Sequence, residues 1–399
     1  MPAASGFRTI LSLAIQLDMF TDHVDISQAL VNYYPGTVTM ETSMFPLHRD
    51  MKRILDIFVK PLYSMPSAAR AWHTTMSALL EREGCETVGF EKSMWRVVIY
   101  GHRILLGAHI DDFVIACANR PVLDAFRKRL LEAFEGTYEG PLEHYLGCEI
   151  TRDHIAGTTT LSQKHYAKEI LRSYGFWDIL PRNTPMKPNT RLSKDDCDPN
   201  PKPDFHRRYR GIVGSLGYLV TMTRPDLAWC YSELSKYVQF PGIAHMEAAE
   251  HVLQYLHDTL SLLHTLVAPE TPVNFGAGLM QIGLATPIRA ARTGYILMMN
   301  GGPVSWKSRR QYNVSLSTSE AEFVVASQAG QEALYFVKPS NILAISKRMQ
   351  LKSTRIIWPV LPGVKIQCAE NFRVTLTSPL FRARTRQGWF CQTHPFAHK

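Results

Sequence analysis

Apolar residues recur at helical spacing from Phe7 to Leu17, and His23 to Asn32 reads as a strand ended by the turn residues Tyr34-Pro35-Gly36. Ala68 to Glu83 predicts a second helix, with Ala69, Trp72, Met76, Leu79 and Leu80 on one face. Two apolar runs, Trp95–Tyr100 and Arg103–Ile110, flank Gly101-His102 and predict a hairpin. An Asp pair then leads into a further strand at Phe113–Ala116. Pro121 to Phe134 predicts an amphipathic helix with Arg127, Lys128 and Arg129 clustered together. Tyr145 to His165 gives two strands about a turn at Ala156-Gly157.

The stretch Asn183–Pro203 is rich in Pro, Asp and Lys and reads as a linker. Helical material follows at Tyr209–Met222, Leu227–Val238 and His245–Leu263. Arg292–Val314 reads as strand, turn and strand around Asn300-Gly301-Gly302, with a helix from Ser319 to about Phe336. Beyond that the period dissolves, and no internal repeat is visible. A length of 399 residues predicts two or three domains.

No apolar run approaches the ~20 residues of a membrane helix, and the first residues lack the pattern of a signal peptide. Seven Cys are scattered without C-x-x-C spacing, which speaks against a zinc site or a disulfide framework. The expectation is an intracellular protein, in cytoplasm or nucleus, neither secreted nor membrane-bound. The net charge of +9 sits in the tail: Phe336 to Lys399 holds eleven Lys and Arg against the single acid Glu370. The body is nearly neutral. A basic tail suits phosphate binding and equally suits translation of an unselected frame, so charge alone assigns no partner.

Asp111-Asp112 stands between two strand-forming runs. Adjacent carboxylates at the tip of a hairpin repel unless a cation neutralises them. Magnesium takes one or two carboxylates and fills its shell with substrate phosphates. Polymerases use two such ions about 4 Å apart. Asp25, between Val24 and Ile26, is placed to supply a third carboxylate. The other reading is a turn that merely joins two strands. Arg70 and Trp72 would qualify as template or primer contacts, since bases stack on flat faces; the local pattern by itself favours a solvated Arg and a core Trp on an amphipathic helix.

The order of several phrases resembles copia-type reverse transcriptases. Arg8-Thr9-Ile10-Leu11-Ser12-Leu13-Ala14 and Val24-Asp25-Ile26-Ser27-Gln28-Ala29-Leu30 are similar to that family's helix and catalytic strand. The run from Leu62 to Trp72 resembles its L-Y-G-L-K-Q-A-P-R-A-W, and His109-Ile110-Asp111-Asp112 stands at its Y-V-D-D. Tyr145-Leu146-Gly147, Leu161 to Tyr166, Tyr209 to Tyr218 and Thr223-Arg224-Pro225-Asp226 follow in the family's order. Gly301 to Gln311 and Leu316 to Phe323 resemble its ribonuclease H.

The resemblance implies an α+β fold with three parts, belonging to a retrotransposon polyprotein fragment. These are a palm-type reverse transcriptase domain (1–182, fingers and palm, N-terminally truncated), a linker and helical connection (183–262), and a partial, degenerate ribonuclease H-like α/β domain (263–338). A disordered basic tail (339–399) completes the expectation. It implies RNA-directed DNA polymerase activity, with Asp25, Asp111 and Asp112 as the catalytic and metal-binding triad for two Mg2+ or Mn2+ ions. Arg70, Leu30 and Trp72 would contact template or substrate. The partners would be an RNA or DNA template with primer and dNTP.

Departures from the family fall on chemistry-bearing positions. His109 replaces the Tyr, Ser64-Met65-Pro66-Ser67 replaces G-L-K-Q, and Leu30 stands where an aromatic ring would exclude ribonucleotides. Ribonuclease H cleavage needs about three or four carboxylates around two ions. From Thr259 to Lys399 there is no Asp, and Glu322 is the one family-matched ligand. The expectation is loss of that activity in a decayed copy. The rival expectations are a non-catalytic nucleic-acid-binding remnant and a non-functional pseudogene product.

Overall fold

The computed structural model describes residues 4–26, 66–88, 91–188, 190–268, 275–278, 292–311, 324–325, 327–333, 351–352, 365–368 and 374–377. Helices and strands are mixed along the chain. Helix α1 (Ala4–Gln16) leads into β1 (Phe20–Ile26). Helix α2 (Pro66–Arg82) precedes β2 (Glu86–Val88), β3 (Glu91–Ile99), β4 (His102–His109) and β5 (Asp112–Cys117). Helix α3 (Arg120–Ala133) and β6 (Gly136–Pro141) follow. The six strands form one sheet in the order β2-β3-β4-β5-β1-β6, antiparallel at every junction.

Successive side chains point to opposite faces of a strand, and here both faces are covered. Val24, Ile26, Ile104, Leu106, Phe113 and Ile115 share a core with Trp72, Met76 and Leu80 of α2 and Phe126 and Leu130 of α3. Leu105, Val114 and Ala116 face the other way and pack with Phe7, Ile10 and Leu13 of α1. Gly107 allows that close approach, since a Cβ there would meet Ile10 Cδ1 at 2.6 Å. Helix α3 is fixed at its start by Asn119, whose side chain accepts from the Val122 amide at 3.1 Å.

A second antiparallel sheet runs β10-β9-β8-β7, built from β7 (His144–Tyr145), β8 (Cys148–Asp153), β9 (Thr158–Ser162) and β10 (His264–Val267). Between β9 and β10 the chain makes α4 (Lys164–Tyr174), α5 (Pro203–Met222), α6 (Ala228–Leu234) and α7 (Ile243–Asp258). These enclose their own core of Ile170, Leu171, Tyr209, Leu216, Leu253 and Leu256. The stretch read as a linker is irregular, yet it is tied down at several points. Tyr237 Oη donates to Leu192 O at 2.7 Å, His245 Nε2 to Ser193 O at 3.1 Å, and His251 Nε2 to Thr184 O at 3.0 Å. Such ties were invisible in its composition because every donor comes from a distant helix.

Strands β11 (Phe275–Gly278), β12 (Arg292–Met299) and β13 (Gly302–Arg310) form a third sheet, with β14 (Leu351–Lys352) parallel to β11. The expected helix after Ser319 is described only at 324–325 and 327–333. Most of 339–399 lies outside the described residues; those described there form β14 and the antiparallel pair Lys365–Cys368 and Val374–Thr377.

The β12–β13 hairpin folds back onto α1, so α1 is buried from Ser5 to Ile15. Arg8 makes the junction. Its Nε donates to Val304 O at 2.9 Å, its Nη1 to Thr221 O at 2.8 Å and Met222 O at 2.9 Å, and its guanidinium lies 3.9 Å over the Trp306 ring. Burial lowers the Arg8 pKa to about 9. Asn300 Nδ2 adds bonds to Ser12 O at 2.7 Å and Ser12 Oγ at 2.9 Å.

Candidate active site

Four hairpin turns show how the chain treats ordinary and special corners. Tyr100-Gly101, Leu146-Gly147 and Asn300-Gly301 each carry two successive residues at positive φ ending in Gly, which matches strand twist. The β4–β5 turn differs. There Ile110, a β-branched residue, holds φ 54°, and the next residue is Asp111. Such a conformation is a genuine outlier for a branched side chain and costs about 1–3 kcal/mol.

Two bonds hold that strained turn. The Ile26 amide donates to Asp111 O at 2.8 Å, and Trp72 Nε1 donates to Ile110 O at 2.8 Å. Trp72 is 3% exposed, its ring edge-on to Phe134 at 5.5 Å. Trp72 is thus a core residue, one of the two readings that the sequence offered, and α2 lies on the face of the sheet opposite Asp25 and Asp112. A helix pattern identifies an apolar face but not the side of the sheet it covers.

Asp25 and Asp112 are register partners across β1 and β5. Directly opposed residues place their side chains on one face, with Cβ atoms about 5 Å apart. Both are half-buried. Asp25 is raised above the usual carboxylate range, first by burial, then by the charges of Asp112 and Glu139, with His23 opposing. A β-bulge between His23 and Val24 in the β1–β6 pairing sets Glu139 outside the register. Close approach of β6 requires Gly136, where a Cβ would collide with the Asp25 carbonyl oxygen. On the other face of β1, Asp22 is fully buried and ion-paired to Arg120 at 2.8 Å and Arg127 at 2.5 Å, which anchors the strand to α3.

Two neighbours of the pair were missed from sequence. His23 Nε2 lies 3.0 Å from Asp112 Oδ1. Tyr145, 4% exposed, sits edge-on to the His23 ring at 5.7 Å, and its hydroxyl donates to Asp112 O at 3.3 Å. Burial and the Asp112 charge raise the Tyr145 phenol, so it stays protonated. His23 was legible in principle, since a spacing of two puts it on the face of Asp25. His109, at the family's Tyr position, is half-buried and its pKa is lowered by burial, with Asp112 opposing. Arg70 is exposed on α2. Leu30 and Glu322 lie outside the described residues.

Among the described residues, no group of three or more His, Cys, Asp or Glu is arranged to hold a metal ion. The structure gives a pair, Asp25 and Asp112, with half-buried Asp111 beside it in the turn. The donor chemistry of the pair fits a divalent cation. Both partners are hard oxygen ligands, and Asp25, raised first by burial and then by the Asp112 charge, gains from a cation beside it. Among the described residues, no helix is long and apolar enough to cross a membrane.

Residues 3–188 match the family model for reverse transcriptase (RNA-dependent DNA polymerase). Over 83% of its length the chain is 27% identical to the retrovirus-related Pol polyprotein from transposon TNT 1-94 of Nicotiana tabacum. Over 96% it is 26% identical to the Pol polyprotein from transposon RE2 of Arabidopsis thaliana. The chain spans 25% of the length of each of these polyproteins. It is also 30% identical, over 54% of its length, to an uncharacterized mitochondrial protein of Arabidopsis thaliana, of which it covers 87%.

Proposed function

Since the chain belongs to the reverse transcriptase family of copia-type retrotransposon polyproteins, we propose that its site is built for RNA-directed DNA synthesis, the transfer of a deoxynucleotidyl group to a primer 3′-end. The observation that carries this reading is the Asp25–Asp112 pairing across β1 and β5, with Asp111 next in the strained turn. In this reading the six-stranded sheet with α1, α2 and α3 is the palm, α4 to α7 the connection, and the β11–β13 sheet a degenerate ribonuclease H-like part without cleavage activity.

Asp25, Asp111 and Asp112 would hold two Mg2+ or Mn2+ ions, the partners being an RNA or DNA template with primer and dNTP. Divalent cations, when bound there, supply activation of the primer hydroxyl and neutralisation of the departing pyrophosphate. The primer 3′-oxygen forms a bond to the α-phosphorus of the dNTP while the bond to pyrophosphate breaks. The chain's own residues prepare this. Trp72 and the Ile26 amide hold the adjacent carbonyls of Ile110 and Asp111, which ties the turn to α2 and β1. Tyr145 closes one side of the site and holds the Asp112 carbonyl. Exposed Arg70 would meet the phosphates of template or incoming nucleotide.

A second reading has an observation of its own. The described residues present a carboxylate pair, not a closed cluster, which suits a remnant that holds duplex by backbone contacts without chemistry. Primer extension on poly(rA)·oligo(dT) with Mg2+ or Mn2+, comparing wild type with Asp111→Asn, separates the two. Extension that disappears in the variant supports the polymerase. A folded protein that binds primer–template equally well with and without metal, and extends nothing, supports the remnant.

A further inference from the structure

We infer that His23 is a positioning residue for Asp112: its Nε2–H holds Oδ1 of that carboxylate at 3.0 Å, leaving the other oxygen directed to a divalent cation. The inference rests on the reading of Asp25 and Asp112 as cation ligands.

The geometry follows from the register. His23 pairs with Val114 and Asp25 with Asp112, so His23 lies diagonally across from Asp112 on the same face. The His23 side chain is 17% exposed and that of Asp112 35%, so the contact is sheltered while the carboxylate still reaches solvent. The imidazole is itself confined. Tyr145 stands edge-on to it, and that tyrosine is packed against Phe7 of α1 at 4.5 Å. Helix α1, β7 and β1 thus converge on one hydrogen bond. The bulge beside His23 lies on β6, where Glu139 is the extra residue, and Gly140, the partner of His23, holds φ 103° there.

A carboxylate that ligates a cation is ordinarily held by a hydrogen bond to its remaining oxygen, and removing that bond weakens metal binding about 10–100-fold. The same donor restricts Asp112 to one rotamer, which matters more here because Ile110 makes the preceding turn strained. The alternative role for His23 is a plug that occupies the place of the cation; the two make opposite predictions.

The test is Mn2+ binding to the full chain, followed by electron paramagnetic resonance of the free ion, for wild type, His23→Leu, His23→Gln and Asp112→Asn. Positioning by His23 predicts that His23→Leu weakens Mn2+ binding about 10–100-fold. It predicts that His23→Gln, which keeps an N–H donor, binds Mn2+ close to wild type, well short of the roughly 10-fold loss that removing the donor brings. Unchanged binding in His23→Leu overturns the inference and leaves the cation site intact; tighter binding overturns it in favour of the plug. If wild type binds no Mn2+, or Asp112→Asn binds as well as wild type, the reading of the acidic pair fails and the inference with it. Thermal midpoints of all four proteins separate loss of fold from loss of positioning. Should His23→Leu not fold, weak binding by a folded His23→Gln would itself overturn the role of the N–H donor.

Discussion

Ile110 is where the sequence and the backbone disagree most openly. Three other hairpins of this chain place Gly at the second positive-φ position, whereas the β4–β5 turn forces a branched residue to φ 54°. Asn tolerates that region far better, so Ile110→Asn should stabilise the fold by about 1 kcal/mol. A urea titration that shows no gain would mean the strain is relieved elsewhere. That Asp25 comes to stand beside the Asp pair was legible, because the order of these phrases along the chain needs no tertiary knowledge. The supports of these carboxylates were not. Tyr145 reaches Asp112 from 33 positions away, and the helical period of α2 gave no sign that Trp72 would hold the Ile110 carbonyl.

At the scale of elements, the fit of β6 against β1 depends on a missing side chain. Gly136→Ala would drive a methyl group into the Asp25 carbonyl, so the strands must part, at a cost of about 1–3 kcal/mol. Thermal unfolding measures that cost. Strand β10 brings a different dependence. His264 is 3% exposed, and burial, followed by the Arg8 charge, lowers its pKa to about 3. In the unfolded chain the imidazole takes up its proton near pH 6.5. The unfolded state therefore binds more protons below that pH, and stability is full above about 6.5 and lost as pH falls towards 3. Between pH 6.5 and 4.5 the loss is roughly 3 kcal/mol, at 1.36 kcal/mol per unit. Comparing denaturant midpoints at the two pH values, His264→Phe should flatten the slope; the lowered His109, His245 and His251 contribute in the same direction and leave a remainder. Strand and helix periods announced most of these elements. The partners of β10 were hidden, since pairing with β9 skips the four intervening helices.

For the molecule as a whole, Arg8 joins segments that read as separate parts in sequence. From α1 its fork reaches the end of α5 and β13 at once. Arg8→Leu would remove the donor from the buried Val304 and Met222 carbonyls and the half-buried Thr221 carbonyl, and should destabilise the chain by on the order of 3 kcal/mol, measured from urea midpoints. Arg8→Lys should recover only part, because an ammonium lacks the planar fork. The helical period of this segment gave Arg8 no role; the hairpin arriving from far along the chain makes it a core residue. That distance sets a clock. Arg8 and Val304 are 296 positions apart, so at a synthesis rate of about 5–20 residues per second the first helix waits roughly 15–60 s for the strand that covers it. Throughout that interval its outer side, including the guanidinium, stands open on the nascent chain. Completion of the packing around α1 thus belongs to a late step of folding.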